Sequence, residues 1–486
     1  MAKEKRQLLS RRTFLAGTGG TALGLAAGIG GTKCLVDESM PPVNEIPSLP
    51  SDGFWNESTT PGLTDQVPLR GNYKADVVIV GGGYTGISAA LHISEAFPDR
   101  KILLLDANLA GAGALGKNSG LVLPGINGFK PIMDEWIAKG RDDKAKEVYE
   151  KTASGMKIIE KLVQEHKIDC DWEPVDLLLC ALDANHEEGC NHIKHQYETV
   201  GVDAEWFSKD MLSQKVSVKG FSGALSVPGT AMVNPAKLNL SVGKLIKKRG
   251  VKIYENTPVI RIEPGSQIKV HLQYGMVQTP TLIIATNAYT PKLGFLNQRI
   301  YPIHSHSIVT APLNSHQLKS LSWKGREPIN SMADYFMLFR LTPDNRLFMA
   351  GHNASYYYNG LIHTGAGGHP VVNDLIQTLR KYFPAISDVP VTHHWVGHVG
   401  CTLDTVPTVG AIGPHQNIFF AGGYTGYGIT AAFLFGKILN SLYACEPIDP
   451  VFNLILNRKP PWVPPEPFTS AGFALFHRLL KWTDKQ

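Results

Sequence analysis

Short apolar runs and stretches of helical periodicity alternate along most of this chain. Ala75 to Val80 and Lys101 to Leu105 read as short strands of the continuous apolar kind found inside parallel sheets. Tyr84 to Phe97 reads as a helix between them, so the three make a βαβ unit. Asp142 to His166 repeats apolar residues at Val148, Tyr149, Met156, Ile159, Leu162 and Val163, which is a helical period. Residues 167 to 233 read as short strands and turns. Val251 to Tyr254, Ile268 to Leu272 and Leu282 to Thr286 read as strands, and 335 to 351 as two strands joined at Pro343-Asp344-Asn345. Asn417 to Ala421 is a strand that meets a glycine cluster and then a helix to about Tyr443. Pro460 to Pro467 leads into a short amphipathic helix over Phe473 to Trp482.

Composition narrows the class. At 486 residues the chain exceeds one compact core, so at least two domains are expected. The net charge of +5 is concentrated at the start, where Lys3, Lys5, Arg6, Arg11 and Arg12 stand against Glu4 alone. The remainder is close to neutral, so no basic face for nucleic acid is implied. Six scattered cysteines with no CxxC spacing give neither a disulfide framework nor a zinc site.

The basic start has its own meaning. Ser10-Arg11-Arg12-Thr13-Phe14-Leu15 precedes a weakly apolar, Gly- and Ala-rich stretch to Thr32. Paired arginines ahead of such a stretch resemble a twin-arginine export signal, over an ordinary secretory signal or a disordered basic tail. Residues 1–35 are therefore expected to direct export by the twin-arginine machinery, to the periplasm or the outer face of the inner membrane. Gly24-Leu25-Ala26 is a candidate cleavage site, and an uncleaved anchor stays open. Residues 36–74, rich in Pro, Ser and Asp, read as an irregular lead-in.

The βαβ unit carries chemistry. Gly81-Gly82-Gly83-Tyr84-Thr85-Gly86 is a G-x-G-x-x-G between strand and helix. Gly81 permits the tight turn, Gly83 the close approach of a pyrophosphate, and Gly86 the packing of helix on strand. The helix N-terminus offers free N–H groups to phosphate. Asp106, followed by Ala107, ends the second strand where a carboxylate binds ribose hydroxyls. That carboxylate disfavours a 2′-phosphate but does not separate NAD from FAD. Two further glycine segments do. Gly111 to Gly120, with Gly116, Lys117 and Asn118, follows the second strand. Gly422-Gly423-Tyr424-Thr425-Gly426-Tyr427-Gly428 again joins a strand to a helix, whose positive end suits the N1/O2 edge of a flavin. The combination points to FAD.

With these segments and others, the chain resembles the FAD-dependent D-amino-acid-oxidase-like superfamily, and within it gamma-glutamylputrescine oxidoreductase-like proteins. The likeness runs from about Phe54-Trp55 to the C-terminal tail. It includes Asp76 to Ala90, Tyr254 to Val259, Ala285 to Pro291, Phe339 to Leu347, Trp395 to Gly410 and Phe420 to Gly436. Leu115, Lys117 and Ser119 replace the Ser, Arg and Gly usual in relatives. The resemblance implies an α/β plus α+β fold: a Rossmann-type FAD-binding domain with an inserted, mostly antiparallel substrate domain. The first is expected from 75–130, 218–295 and 395–445, the second from 131–217 and 296–394, with 446–486 as a tail. It implies adenine contact through Val259 and cofactor contact near Thr286 and Asn287. It also implies oxidation of the C–N bond of an amine or amino acid, by hydride transfer to the flavin, the imine then hydrolysed in water. The electron acceptor follows from the exported location, as oxygen or a membrane quinone carrier. An NAD-dependent dehydrogenase and a non-enzymatic flavin-binding protein are the alternatives.

Candidate substrate residues come from three segments, Tyr301 to His306, Tyr335 to Arg340 and His352 to Tyr358. They supply His304, His306, Tyr335, Arg340 and His352. Arg340 follows the apolar run Tyr335 to Phe339, so a partly buried charge in need of a partner is expected. A substrate carboxylate held in a bidentate fork and an internal salt bridge are the two readings.

Overall fold

The computed structural model describes residues 53–59, 63, 68–109, 111–333, 335–362 and 368–483. The expected export signal and most of the lead-in lie outside these.

A six-stranded sheet runs in the order Thr408–Ile412, Ile418–Gly422, Thr281–Ile284, Val77–Val80, Ile102–Leu105 and Lys252–Tyr254. Every pairing is parallel except that of Thr408–Ile412 with Ile418–Gly422. Val77–Val80 and Ile102–Leu105 are buried at every position, as strands covered on both faces must be. Val77 and Ile79 pack towards the helices Tyr84–Ala96, Pro235–Lys248 and Gly428–Tyr443. Val78 and Val80 face a four-stranded sheet built from Gly71–Lys74, Gly275–Thr279, Ile268–Leu272 and Val259–Glu263. The two-residue alternation of strand side chains thus separates two cores.

A nine-stranded sheet forms the second body. Its path is Val391–Cys401, Tyr301–Thr310, Leu347–Ser355, Met337–Leu341, Ile329–Ser331, Glu173–Ala181, Gly223–Met232 and Leu121–Val122, with Glu205–Ser208 also pairing Gly223–Met232. All pairings are antiparallel except Ile329–Ser331 with Glu173–Ala181. The helix Gly368–Tyr382 covers one face through Leu375 and Leu379, which meet Ile308, Phe339 and Met349.

Several expected boundaries shift. Gly223–Met232 and residues 395–401, placed by sequence in the FAD-binding domain, belong to the nine-stranded sheet. Residues 167 to 233 hold two helices, Ala184–Thr199 and Lys209–Lys215, where only strands and turns were expected. The first escaped because it is polar nearly all round, with only Cys190 and Gln196 buried; its start is fixed by Asp183, which accepts from Asn185 N and His186 N. The lead-in ends in the strand Gly71–Lys74, and the C-terminal helix begins earlier than expected, spanning Phe468–Thr483.

Candidate active site

A single cavity of about 1540 Å³ runs from the G-x-G-x-x-G turn to the face of the nine-stranded sheet. That exceeds the roughly 300–1,000 Å³ of ordinary small-ligand pockets and suits an elongated dinucleotide with room for a second molecule.

Its nucleotide end is built by backbone proximity. Gly81 has φ +106°, and a Cβ there would lie 2.7 Å from the Ala285 carbonyl oxygen. Gly86 does not line the cavity; a Cβ on it would collide with the Gly81 carbonyl, so it serves helix-on-strand packing. Gly83 does line it, and a Cβ there would meet no protein atom within 4 Å. The helix Tyr84–Ala96 has no side-chain cap at its start. Tyr84 and Thr85 line the cavity, but their hydroxyls turn to the protein, Tyr84 donating to Pro235 O at 2.9 Å and Thr85 pairing with the Tyr424 hydroxyl at 2.6 Å. Asp106 accepts from Gly82 N at 2.7 Å and Asn108 N at 2.9 Å. Burial pushes its pKa up to about 6 against the opposing pull of those two bonds. Ala107, Val259, Thr286 and Asn287 line the same end.

The loop after the second strand is gripped from behind. Lys117 O accepts from Trp395 Nε1 at 3.0 Å, Asn118 O from Trp55 Nε1 at 2.8 Å, and Ser119 O from Arg340 Nη1 at 2.8 Å. Phe54, Trp55, Phe348 and Trp395 pack as one aromatic block behind it. Lys117 and Asn118 line the cavity; Gly116 does not, its missing Cβ leaving space for the Gly111 carbonyl.

Beside the start of the helix Tyr84–Ala96, the helix Gly428–Tyr443 also starts without a side-chain cap, and Gly428 and Ile429 line the cavity. Tyr424, Thr425 and Gly426 line it with them. Gly422 and Gly423 stand behind, where Gly423 N donates to Asn287 Oδ1 at 2.9 Å and its φ of +76° makes the turn. Beyond lies a largely apolar lobe with Leu121, Leu123, Tyr149, Tyr197, Met332 and Leu338.

None of the five expected substrate residues lines this cavity. His304 and His306 are fully buried on the opposite face of their strand, His306 stacked on His394 with its Nδ1 3.2 Å from His394 Nε2. Burial draws His306 down to about 3 and His394 to about 4, so both are neutral at physiological pH. Their neighbours Ser305 and Ser307 face the cavity instead. His352 lies 3.6 Å from Asp374, and the Tyr335 hydroxyl pairs with His477. Arg340 does not line the cavity and pairs with no carboxylate among the described residues. Its Nη1 is shared between Ser119 O and Val233 O, and its guanidinium sits 5.2 Å from the centre of the Trp55 ring. Burial lowers its pKa to about 9, which leaves it charged at neutral pH. The clamping role of Trp55, named only as the start of the family likeness within the supposedly irregular lead-in, has no sequence signal, and neither do the tail residues Pro461, Trp462 and Pro464 at the cavity rim.

A family model described as FAD dependent oxidoreductase (DAO) matches residues 76–442. The chain belongs to the DAO family. Relatives include the probable oxidoreductase OrdL of Haemophilus influenzae, 28% identical over 385 residues, covering 76% of this chain and 83% of that one. The gamma-glutamylputrescine oxidoreductase of Escherichia coli is 28% identical over 396 residues, covering 79% and 88%. Among solved structures, glycine oxidase from Geobacillus kaustophilus superposes with a TM-score of 0.66 at 17% identity, covering 80% of this chain and 99% of that one. It carries the same fold.

The residues present fit the FAD of a DAO protein. Gly83 and Gly113 both open onto the cavity with no atom in the path of a Cβ. Two uncapped helix starts face the same space side by side, the Thr85 hydroxyl of one meeting Tyr424 just ahead of the other. Such ends favour the phosphates and the electron-rich edge of the flavin. Asp106, at the end of the second strand, would be the residue to take ribose hydroxyls.

Two predictions follow from this geometry. Gly83→Val should leave the melting temperature of the apoprotein near that of the parent while abolishing flavin retention. Gly86→Val should instead lower that temperature, overpacking typically costing about 1–3 kcal/mol. Equal unfolding of both would contradict the assignment. If ribose hydroxyls donate to ionised Asp106, cofactor binding would have to expel its proton at acid pH. Affinity of the apoprotein for FAD should therefore hold above pH 6 and weaken on acidification below it, by up to about tenfold per pH unit. Asp106→Asn should flatten that slope, which fluorescence titration would read.

Proposed function

We propose that this chain oxidises the C–N bond of an amine or amino acid, with the resulting imine hydrolysed in water. The observation that carries this is the continuity of one cavity from the dinucleotide turn, past the helix start at Gly428, into an apolar lobe against the nine-stranded sheet. The gamma-glutamylputrescine oxidoreductase and the glycine oxidase named above support the same reaction class. Bound FAD supplies the hydride acceptor. The chain's own part is positioning and exclusion of water. Substrate carbon loses a hydride and nitrogen a proton, so a neutral amine is the reactive form and no dedicated base is required of the protein.

The lining also speaks to substrate. Its cationic side chains among the described residues are Lys117, Lys130 and Lys292, with no arginine. A substrate carboxylate would meet an ammonium point charge there, not a bidentate fork. Asp404 is occupied by Arg458 through contacts of 2.6–2.9 Å. The lobe therefore favours an amine bearing a hydrocarbon or aromatic substituent.

The Arg11-Arg12 pair and the weak apolar stretch behind it support export by the twin-arginine route and a site of action at or beyond the outer face of the inner membrane. The final acceptor is then oxygen or a quinone-linked carrier.

Anaerobic mixing of the purified yellow protein with a panel of amines and amino acids tests the reaction. Apolar amines should bleach the flavin band, with higher kcat/KM than small amino acids such as glycine. A flavoprotein that no member of the panel reduces would overturn the proposal. Fractionation of a variant with lysine at 11 and 12 tests the route: it should stay inside the cell with flavin bound.

A further inference from the structure

Exposed apolar side chains gather on one rim. Among the described residues eleven large hydrophobic side chains are exposed, and six of them are Phe336, Tyr358, Leu361, Trp462, Phe468 and Leu475. Contacts tie their segments together. Glu466 accepts from the Tyr356 hydroxyl and from Asn359 N, both at 2.8 Å, which brings the Tyr358 turn to the start of the C-terminal helix. Phe473 of that helix stacks 4.7 Å from Tyr356, and His477 pairs with Tyr335, next to Phe336. Trp462 Nε1 donates to Gln298 at 3.0 Å and leaves its ring exposed. Scattered exposed apolar residues need no explanation, but a contiguous set does.

The helix Phe468–Thr483 is amphipathic in an unusual sense. Phe473 and His477 mark the side that packs on the protein. Phe468, Ala471, Leu475 and Arg478 are exposed and recur at spacings of three and four, a single outward stripe. Arg478 is the ionisable residue of that stripe, and Phe468–Thr483 contains no acid. The nearest acid before it, Glu466, is turned inward on three donors, the third being Ser470 N at 3.1 Å. The outward surface is thus apolar and basic, the combination that lies in the headgroup region of an anionic bilayer. No described helix is long and apolar enough to cross a membrane.

We propose that the C-terminal helix and the aromatic rim beside it form an interfacial docking surface for an anionic lipid bilayer. Phe336 and Trp462 are both exposed and line the cavity, so its mouth opens within this surface. Docked in this way, the cavity faces lipid, and an amine or electron acceptor that partitions into the bilayer reaches it directly. The docking itself does not depend on the identity of the reaction.

Flotation of the full-chain holoenzyme with vesicles tests it. The protein should float with phosphatidylglycerol-containing vesicles, and much less with pure phosphatidylcholine or at high salt. The double variant Phe468→Ser, Leu475→Ser should lose at least about tenfold of that partitioning, with flavin spectrum and melting temperature unchanged. Arg478→Glu should weaken anionic binding alone. Flotation of the double variant at parental strength would overturn the proposal and move the contact elsewhere, to residues 1–52 among others. So would absence of flotation in the parent. Loss in the double variant of a concentration-dependent dimer, without parental flotation, would assign the face to a second copy of the chain.

Discussion

Three consecutive carbonyls, those of Lys117, Asn118 and Ser119, are held by the side-chain donors of Trp395, Trp55 and Arg340. Two of those donors stand on the nine-stranded sheet, the third on the turn Phe54–Ser58 near the start of the described chain. The loop they hold follows the second strand of the cofactor-binding sheet. This clamp therefore fixes one body of the protein against the other, and the cavity lies between them. The buried guanidinium has Nη1 between two carbonyls, Nε 3.4 Å from Leu341 O and the Trp55 ring alongside, while Nη2 has no partner among the described residues. Replacing it with an apolar side chain would strand Ser119 O and Val233 O without their donor.

Given that frame, the electrostatics of the site are simple. Two helix starts without side-chain caps present N–H groups to one cavity, and the Asp106 carboxylate stands beside the G-x-G-x-x-G turn, where it would take ribose hydroxyls. The histidine pair His306 and His394 belongs to packing under the helix Gly368–Tyr382 side of the sheet, held neutral by burial. The protein invests in position and leaves the redox chemistry to FAD.

The cofactor half of the site was legible because its signals are local. The turn at Gly81 to Gly86, the strand before it and Asp106 beyond it lie within thirty residues, and each has a stereochemical reason to be what it is. The substrate half was not, for two reasons. Strand side chains alternate, so His304 and His306 lie one residue off from Ser305 and Ser307, which line the cavity. Periodicity gives the alternation but not which face is covered by a helix and which by the cofactor loop. Arg340 shares the cavity face with Leu338, yet Trp55, about 280 residues earlier in the chain, covers it. Nothing near Arg340 in sequence announces that. The helix Ala184–Thr199 shows the same limit: a polar helix that meets the strands Glu173–Ala181 and Gly223–Met232 with Cys190 as its one buried apolar residue leaves almost no apolar stripe to read.

The clamp is tested most directly by Arg340→Met, assayed for flavin content after extensive gel filtration and for melting temperature with and without added FAD. Loss of the shared donor should lower stability by roughly 2–6 kcal/mol, since each of the two buried carbonyls left bare costs about 1–3 kcal/mol. It should also release flavin faster, with flavin binding partly restored by excess FAD. A variant that keeps parental flavin content and melting temperature would contradict the account, because the loop would then hold its place without the residue that ties the two bodies together.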